Sequence, residues 1–313
     1  MGDVTGKMPD PGPAIHFHAD RGDARLRLDQ VLVRRIVEIS RMSRSAAQQW
    51  IEDGAVRIDG RIVRRSAARV REGARIDVTP PAGAARRVTP GPEPGELRIL
   101  HDDDAFVAVD KQPGVVVHPS YKQASGTLLN ALLWYARDRA AVQPGILTRI
   151  DKGTSGVVVV AWNATVHRTM QRDAAAGRMR KEYLAVVDGH PRPREGTIEA
   201  PLARDPGDRR RIVVASGGAP SETRYVVVAE EGPLALVRCE LVSGRTHQIR
   251  VHLASRGWPI AGDAAYGTAS AAIARPALHA WRITLPHPIT RQTMTLVAPV
   301  PADMASLLPR EVI

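Results

Sequence analysis

One run of residues constrains the fold of this chain more than any other, because in it a polar turn leads directly into an apolar strand. Residues 145–163 read GILTRIDKGTSGVVVVAWN, with four consecutive valines after the Lys-Gly-Thr-Ser-Gly turn. Four β-branched residues without polar alternation predict a strand that is buried on both faces. The turn carries one carboxylate, that of Asp151, so the sequence predicts an acidic side chain held at the start of a central strand.

Two roles are open for Asp151. Aspartate before glycine is a common turn former, and an Asx-turn to the amides of Gly153 and Thr154 is the simplest interpretation. The alternative is an ion-paired, reactive carboxylate, since Arg149 lies two residues away and residues 243–250 (SGRTHQIR) offer further guanidinium groups. A guanidinium group can bind a carboxylate through two parallel hydrogen bonds.

The positive charge of the chain is unevenly distributed. The chain has 313 residues, of which 43% are hydrophobic, enough for about two domains with their own cores. Its net charge is +11, and the segment from Arg21 to Arg87 contributes +8 of it, with sixteen arginines, no lysine and eight acidic residues. Arginine outnumbers lysine 39 to 5 overall, so the uneven distribution is the informative feature. It predicts a polyanionic partner for this segment.

The basic segment has the pattern of a small α+β domain. Apolar residues recur at helical spacing from Leu28 to Ile36, and a second helix is predicted between Ser43, as its cap, and Gly54. The sequence AVRIDGRIV then alternates apolar and basic residues around Asp59-Gly60, a strong signal for a type I′ hairpin. A further strand is predicted in ARIDVTP.

Composition also predicts the domain limits and the compartment. We expect a flexible tail at 1–24, the small domain at 25–80, a Pro- and Gly-rich linker at 81–95 and a second domain at 96–313. No run approaches the ~18 apolar residues of a membrane span, and the N-terminus lacks a signal-peptide pattern. The single cysteine, Cys239, lies in an apolar run and is expected to be a buried small hydrophobe rather than a nucleophile. A cytoplasmic protein is predicted.

The second domain is predicted to be a mixed, mainly antiparallel sheet with helices against it, of the α+β class. Gln112-Pro113-Gly114 is a turn sequence between two apolar runs and predicts a hairpin. The other elements are predicted from their periodicity and caps: helices at Leu128 to Ala136, Asn163 to Gly177 and HQIRVHLASRG, and strands at Tyr183 to Val187, Tyr225 to Val228 and Leu234 to Val242.

Four blocks of this domain resemble the motifs of the RluA/RluD-type pseudouridine synthases, which modify large-subunit ribosomal RNA and some tRNAs. TRIDKGTSG is similar to the central motif HRLDxxTSG; VDKQPGVVVHP, KEYLAVVDG and GRTHQIRVHLASRGWPIAGDAAYG resemble the other three in the same order. Three positions depart from the pattern: Thr148 replaces the usual His, Ile150 replaces Leu, and Gln112 separates the Lys-Pro pair. The resemblance implies the pseudouridine synthase catalytic fold.

Residues 25–80 resemble the small RNA-binding module named after ribosomal protein S-four. The match is carried by RLDQVL, SRSAAQQWIEDGAVRIDG and REGARIDV in that order. The resemblance implies RNA binding by this domain, for which Arg44, Arg57 and Arg61 are the predicted contacts. The alternative is a small domain with a solvated basic face.

The resemblance to the synthases assigns roles by position. Asp151 corresponds to the essential aspartate, a nucleophile or a base toward the ribose. Arg245 corresponds to the motif arginine and is the predicted ion-pair partner of Asp151, with phosphate binding as its alternative. Tyr183 corresponds to the tyrosine that stacks near the uracil and is thought to help remove its C5 proton, and Ile249 corresponds to the aliphatic residue on the other side of the base. Arg149 corresponds to the arginine inserted into the RNA stack in place of the flipped nucleotide.

Competing functions are an RNA-binding protein with an inactive catalytic fold and a hydrolase of glycosidic bonds. Glycoside hydrolases usually need two opposed carboxylates, whereas the motifs here centre on one. His247 and His252 are five residues apart, off the spacing of a helical metal pair, so no metal is predicted, and neither is a cofactor. We therefore predict a monomeric RNA pseudouridine synthase; the basic module favours large-subunit ribosomal RNA over tRNA.

Overall fold

The structure is a computed structural model that describes residues 14–24, 26–40, 44–80, 90–119, 123, 125–140, 142–208 and 210–307, with side chains of the first helix described as far as Ile36. It divides into two compact units, residues 1–89 and 90–313. Most of the predicted linker, residues 81–89, lies outside the described residues. No helix in the described ranges is long and apolar enough to cross a membrane.

The N-terminal unit is a four-stranded antiparallel sheet with two helices. The elements are β1 (Ile15–His18), α1 (Leu28–Ser40), α2 (Arg44–Glu52), β2 (Val56–Ile58), β3 (Arg61–Ile62) and β4 (Arg75–Val78), and the strand order is β1-β4-β2-β3. Leu28, Leu32 and Ile36 are fully buried on one side of α1, as their helical spacing predicts. They pack with Ile51 and Ile76 in one core.

Two local predictions for this unit are confirmed and one is wrong. Asp59 and Gly60 have φ of 49° and 79°, the two positive values that a type I′ turn requires, and Gly54 with φ of 81° ends α2. The predicted cap Ser43 lies outside the described residues. The tail prediction is wrong for β1, which pairs with β4 along its whole length, because its Ile-His-Phe-His alternation turns two apolar side chains toward the core.

The C-terminal unit is built around a ten-stranded mixed sheet. Its elements are β5 (Ile99–Asp102), β6 (Phe106–Lys111), α3 (Leu128–Tyr135), β7 (Gly145–Ile146), β8 (Ser155–Ala161), α4 (Ala164–Ala175), β9 (Arg180–Asp188), β10 (Glu195–Glu199), β11 (Leu202–Arg204), β12 (Ile212–Val214), β13 (Glu222–Glu231), β14 (Leu234–Leu241), α5 (Gln248–Ser255), β15 (Leu278–Pro286), β16 (Thr293–Val297) and α6 (Ala302–Ala305).

The strand order of that sheet is β10-β13-β14-β9-β15-β8-β6-β5, with β7 beside β8 and β16 beside β15. Every pairing is antiparallel except the short parallel contact of β15 with β8. Strands β11 and β12 form a separate hairpin. The predicted mixed, mainly antiparallel α+β fold is confirmed.

The central strand β8 is buried at every residue, as its four valines predict. It meets β15 so closely that a Cβ added to Gly156 would lie 2.2 Å from the carbonyl oxygen of Ala280. Gly156 also has a φ of 110°, a backbone conformation that residues with a Cβ rarely adopt. Glycine at this position therefore allows the strand that follows the Asp151 turn to enter the sheet.

The predicted hairpin after β6 is wrong. The turn forms, with φ of 87° at Gly114, but residues 115–117 continue as a loop. The carbonyl groups of Val116 and Val117 accept hydrogen bonds from the amides of Leu128 and Leu129 at the start of α3. These first amides of a helix have no partner within the helix, so the loop satisfies them instead of pairing with β6.

The other helix predictions are confirmed to within a residue or two. The side chain of Asn163 caps α4 by accepting hydrogen bonds from the amides of Thr165 and Val166. Cys239 is fully buried in β14, and burial raises the pKa of its thiol to about 12. It is therefore a core residue rather than a nucleophile, as predicted.

Candidate active site

A cleft of about 470 Å³ in the C-terminal unit contains the predicted site residues of that unit. The loop between β7 and β8, strand β9 and the start of α5 form its walls. Asp151, Tyr183, Arg245, Arg149 and Ile249 all line it. Residues that lie far apart in the sequence are thus brought together by the order of strands in the sheet.

The carboxylate of Asp151 forms an ion pair rather than an Asx-turn. In the turn itself, the amide of Thr154 donates to the main-chain carbonyl oxygen of Asp151, at 3.1 Å. The side chain of Asp151 keeps 28% of its surface exposed, and its Oδ2 accepts a hydrogen bond from Nη1 of Arg250 at 3.1 Å. The carboxylate is therefore both anchored and accessible from the cleft.

The predicted ion-pair partner of Asp151 was wrong: Arg250 occupies that position and Arg245 does not. Arg245 precedes α5 and is exposed; its Nε donates to the carbonyl oxygen of Pro220 at 3.3 Å. Arg250 lies within α5, on the side that faces Asp151. Arg245 still lines the cleft, so phosphate binding, the other role considered for it, stays a prediction.

Arg250 is fixed by a second carboxylate that sequence reasoning missed. Its Nε and Nη2 donate to the two oxygens of Asp263 at 2.6 and 2.7 Å, and both side chains are buried. Burial alone would lower the pKa of Arg250, but the hydrogen bonds and charge of Asp263, and then Asp151, raise it above its ordinary value. The guanidinium plane is therefore fixed, with only Nη1 turned toward Asp151. The Gly-Asp of the block IAGDAAYG was the available signal.

Tyr183 places an almost completely buried phenol in the cleft wall. It lies on β9 with 8% of its surface exposed. Burial, and then the charge of Asp151, raises the pKa of Tyr183 well above its ordinary value. The phenol stays protonated at neutral pH, so it suits stacking against a base rather than removal of a proton.

Comparison with known proteins agrees with this geometry. A family model described as RNA pseudouridylate synthase matches residues 105–255, and an S4 domain model matches residues 26–76. A Nitrosomonas europaea protein named ribosomal large subunit pseudouridine synthase D is 39% identical, over 91% of this chain and 84% of that protein. An RNA pseudouridine synthase of Bacillus subtilis is 37% identical, over 85% and 88%. The chain belongs to the RNA pseudouridine synthase family.

This chain is also similar to a solved structure, that of the human protein named RNA Pseudouridylate Synthase Domain Containing 1. The TM-score is 0.54 and the sequence identity is 26%. The match covers 66% of this chain and 86% of that one. These findings confirm the predicted fold, the resemblance and the enzyme class, an isomerase that acts on RNA.

Two cations of the synthase, the buried Lys111 and the partly buried Arg275, hold the turn that follows Asp151. The ammonium group of Lys111 donates to the carbonyl oxygens of Gln112, Val115 and Lys152 at 2.8, 2.9 and 3.3 Å. Burial, followed by the charge of Arg275, lowers the pKa of Lys111 to about 8.

Arg275 is the second of these cations. Its Nη1 donates to the carbonyl oxygen of Gly153 at 3.3 Å, while its other nitrogens bind both oxygens of Asp303 at 2.7 Å. Two consecutive carbonyl groups after Asp151, those of Lys152 and Gly153, are thus each held by a cation. Neither residue was predicted from the sequence, because the first lies in a motif of unassigned role and the second outside the quoted motifs.

The remaining cleft residues differ in what they offer to RNA. Arg149 is exposed and, among the described residues, forms no salt bridge, so its guanidinium group is accessible. Ile249 is 3% exposed and presents an apolar surface. Thr148 is buried, and its hydroxyl accepts a hydrogen bond from the amide of Val159 at 2.9 Å. Thr148, which replaces the histidine of the family motif, therefore connects the loop before Asp151 to β8 through a hydrogen bond.

The histidines of the C-terminal motif have separate environments. His252 is fully buried, with Nδ1 beside Oγ1 of Thr223 at 2.9 Å and Nε2 beside the carbonyl oxygen of Ala200 at 3.0 Å. It is a structural residue. His247 lies at the cleft, with Nε2 3.8 Å from Oδ2 of Asp151. Within the described ranges, no group of three or more His, Cys, Asp or Glu side chains could hold a metal ion.

The predicted RNA contacts of the N-terminal unit are exposed arginines. Arg44 donates to the buried carboxylate of Asp29 at 2.9 Å, and Arg57 donates to the carbonyl oxygen of Gly60 at 3.1 Å. Arg61 is exposed in β3, directly opposite Ile58. Each of the three can still present N–H groups to phosphate, and RNA contact by these residues stays a prediction.

Proposed function

We propose that the synthase isomerises uridine to pseudouridine in large-subunit ribosomal RNA, with Asp151 as the reacting carboxylate. The observation that supports this assignment is the Asp151–Arg250–Asp263 arrangement, which leaves one accessible carboxylate in a cleft large enough for a nucleotide. The reaction breaks the N1–C1′ bond, turns the uracil and joins C5 to C1′, while C5 loses a proton and N1 gains one. Electrons and atoms balance without an oxidant, and no cofactor is proposed.

Each neighbouring side chain has a defined part in this proposal. Arg250 pairs with the carboxylate of Asp151 and orients it, as both a nucleophile attacking C1′ and a base toward the ribose require. Tyr183 and Ile249 contact the two faces of the uracil. Arg149 fills the space that the flipped nucleotide leaves in the RNA.

The substrate is proposed from the N-terminal unit and the relatives together. The matched S4 domain and the +8 charge of residues 21–87 suit a large, highly structured RNA. The Nitrosomonas europaea relative is named for the large ribosomal subunit. We favour that RNA over tRNA on these grounds, and propose that the synthase acts as a monomer in the cytoplasm.

Mapping of pseudouridines in total RNA from cells with and without this gene tests the proposal. One or more sites in large-subunit ribosomal RNA should be lost on deletion and restored by the wild-type gene, but not by Asp151→Asn. Loss confined to tRNA sites would reject the proposed substrate while keeping the reaction. Restoration by Asp151→Asn would reject the role of Asp151.

A further inference from the structure

His247 has a strained backbone directly beside the reacting group. Its φ of 54° places it in the left-handed region, which few residues other than glycine and asparagine adopt. His247 is the N-cap residue of α5, yet its side chain makes no capping hydrogen bond. Strained residues persist where the surrounding structure determines them, and they are concentrated at active sites. Neither the backbone conformation nor helix capping therefore explains why a histidine occupies this position.

A chain of hydrogen bonds fixes the tautomer of His247. The amide of Ile212 donates to the hydroxyl oxygen of Tyr266 at 2.9 Å, and that hydroxyl lies 2.8 Å from Nδ1 of His247. Within the described part of the chain, Nδ1 is the one hydrogen-bond acceptor beside the Tyr266 hydroxyl, so the hydroxyl donates its proton to Nδ1 while its oxygen accepts from the Ile212 amide. In the neutral imidazole the ring proton is then on Nε2.

The Nε2–H group faces the carboxylate oxygen that Arg250 already binds. Nε2 is 3.8 Å from Oδ2 of Asp151, longer than a hydrogen bond. Such contacts are often long in an unliganded enzyme and shorten when the substrate binds. The charged groups that face the imidazole are Asp151, Arg250, Asp263 and Arg204; burial is the largest effect and lowers the pKa of His247, so the ring is neutral.

The two oxygens of Asp151 therefore have different environments. Oδ2 lies against both Arg250 and His247, whereas Oδ1 accepts no hydrogen bond from the described part of the chain. We infer that His247, held in one tautomer by Tyr266, is a positioning residue that steadies Oδ2 and leaves Oδ1 as the oxygen that reacts with the ribose. This inference rests on the proposed role of Asp151.

Two substitutions at position 247 distinguish positioning of Asp151 by the imidazole from a requirement for the left-handed backbone alone. The amide nitrogen of Gln can lie near the position of Nε2, whereas that of Asn lies near Nδ1. Asn, however, adopts the left-handed backbone more easily than Gln. With purified full-length enzyme on RNA, we expect His247→Gln to have a clearly higher kcat than His247→Asn, because only Gln restores an N–H near the position of Nε2. His247→Asn should lose about 10- to 100-fold, the range for a hydrogen bond to a charged group, with KM unchanged in both.

A second pair of variants tests the tautomer lock. Tyr266→Phe removes the hydroxyl that binds Nδ1, and we expect a lower kcat with unchanged KM. Tyr225→Phe is the matched control, because that hydroxyl donates to the carbonyl oxygen of Pro193 and Tyr225 does not line the cleft. It should keep the wild-type kcat.

The inference is overturned if His247→Asn is as active as His247→Gln, or if Tyr266→Phe behaves like its control. Asp151→Asn is assayed in parallel. Activity in that variant would instead reject the proposed role of Asp151, so the two failures are distinguishable.

Discussion

Arg245 and Arg250 lie in one short block of sequence but have different surroundings. Arg250 is buried between two carboxylates, whereas Arg245 is exposed at the edge of the cleft. A buried, bidentate arginine orients its partner, while an exposed one serves to bind phosphate. Their loss should therefore affect different steps of the reaction.

We predict that Arg250→Lys lowers kcat about 10- to 100-fold, because lysine keeps the charge but cannot bind Asp263 and Asp151 in the same geometry. Arg245→Lys or Arg245→Gln should instead raise KM with little change in kcat. Single-turnover assays at saturating RNA measure the first effect, and titration with RNA measures the second. The opposite pattern would restore Arg245 as the partner of Asp151.

Asp110 allows a test of how one buried carboxylate affects the stability of the fold. It is buried, its Oδ1 lacks a hydrogen-bond partner among the described atoms, and burial raises the pKa of its carboxyl above the ordinary 3.8. The folded state therefore binds the proton more tightly than the unfolded state. The ionised carboxylate destabilises the fold at pH 7, and this cost disappears as pH falls through the raised pKa.

Asp110→Asn should accordingly increase the free energy of unfolding at pH 7 by about 1 kcal/mol. The gain should shrink toward pH 4. Urea unfolding at both pH values measures it. Asp138→Asn, at a side chain that is 83% exposed, should change stability by less than about 0.5 kcal/mol. A loss of stability in Asp110→Asn at pH 7 would contradict the effect assigned to burial.

At the scale of elements, local chemistry made most of the fold predictable. The valine run of β8, the Asn163 cap of α4 and the Asp59-Gly60 turn each depend on adjacent residues, and each formed as predicted. The hairpin after Gly114 failed because the first amides of α3 took the carbonyl groups of the loop. The helix amides and strand β6 compete for the same carbonyl groups, and this competition between segments cannot be predicted from the local sequence.

The site was predictable in its membership but not in its pairing. Asp151 and Arg250 are 99 residues apart, and motif spacing cannot tell which arginine of the block GRTHQIR points at the carboxylate. The same holds for the contacts of Asp263 with Arg250, of Lys111 with Lys152 and of Arg275 with Gly153, which join segments 13, 41 and 122 residues apart. The resemblance to the synthase motifs predicted which residues line the cleft. The packing of α5 determines that Arg250 is the residue that pairs with Asp151.

A substitution at Gly156 tests the close contact between β8 and β15, where an added Cβ would lie 2.2 Å from the carbonyl oxygen of Ala280. Gly156→Ala places a Cβ against the backbone of Ala280, so we expect a loss of about 4 kcal/mol or failure to fold. Gly177→Ala is the matched control, because Gly177 also has positive φ, 72°, but open space around it. It should lose about 1 kcal/mol. Equal losses, measured by thermal unfolding, would argue against the close contact.

In the whole molecule, the cleft and most of the net positive charge belong to different units. The ten-stranded sheet and every residue of the cleft belong to residues 90–313, whereas residues 21–87 carry most of the net positive charge. Chemistry and affinity should therefore be separable, with RNA docking depending on the N-terminal unit.

A fragment of residues 90–313 should fold and retain turnover on saturating RNA, but bind dilute ribosomal RNA more weakly than the full chain. Each lost phosphate contact should lower the slope of log affinity against log salt by roughly 0.7 to 0.9. Titrations over a range of salt concentrations measure both quantities. Equal affinity and equal slopes for fragment and full chain would show that the basic unit is not the RNA-docking module.

We propose that the carboxylate of Asp151, held by Arg250, carries out the reaction. Single-turnover pseudouridine formation by purified Asp151→Asn on the natural RNA tests it most directly, because this change is nearly isosteric and removes only the reacting charge. The variant should bind RNA and unfold like the wild type but form no pseudouridine. Substantial pseudouridine formation by a sequence-verified Asp151→Asn protein would contradict the claim.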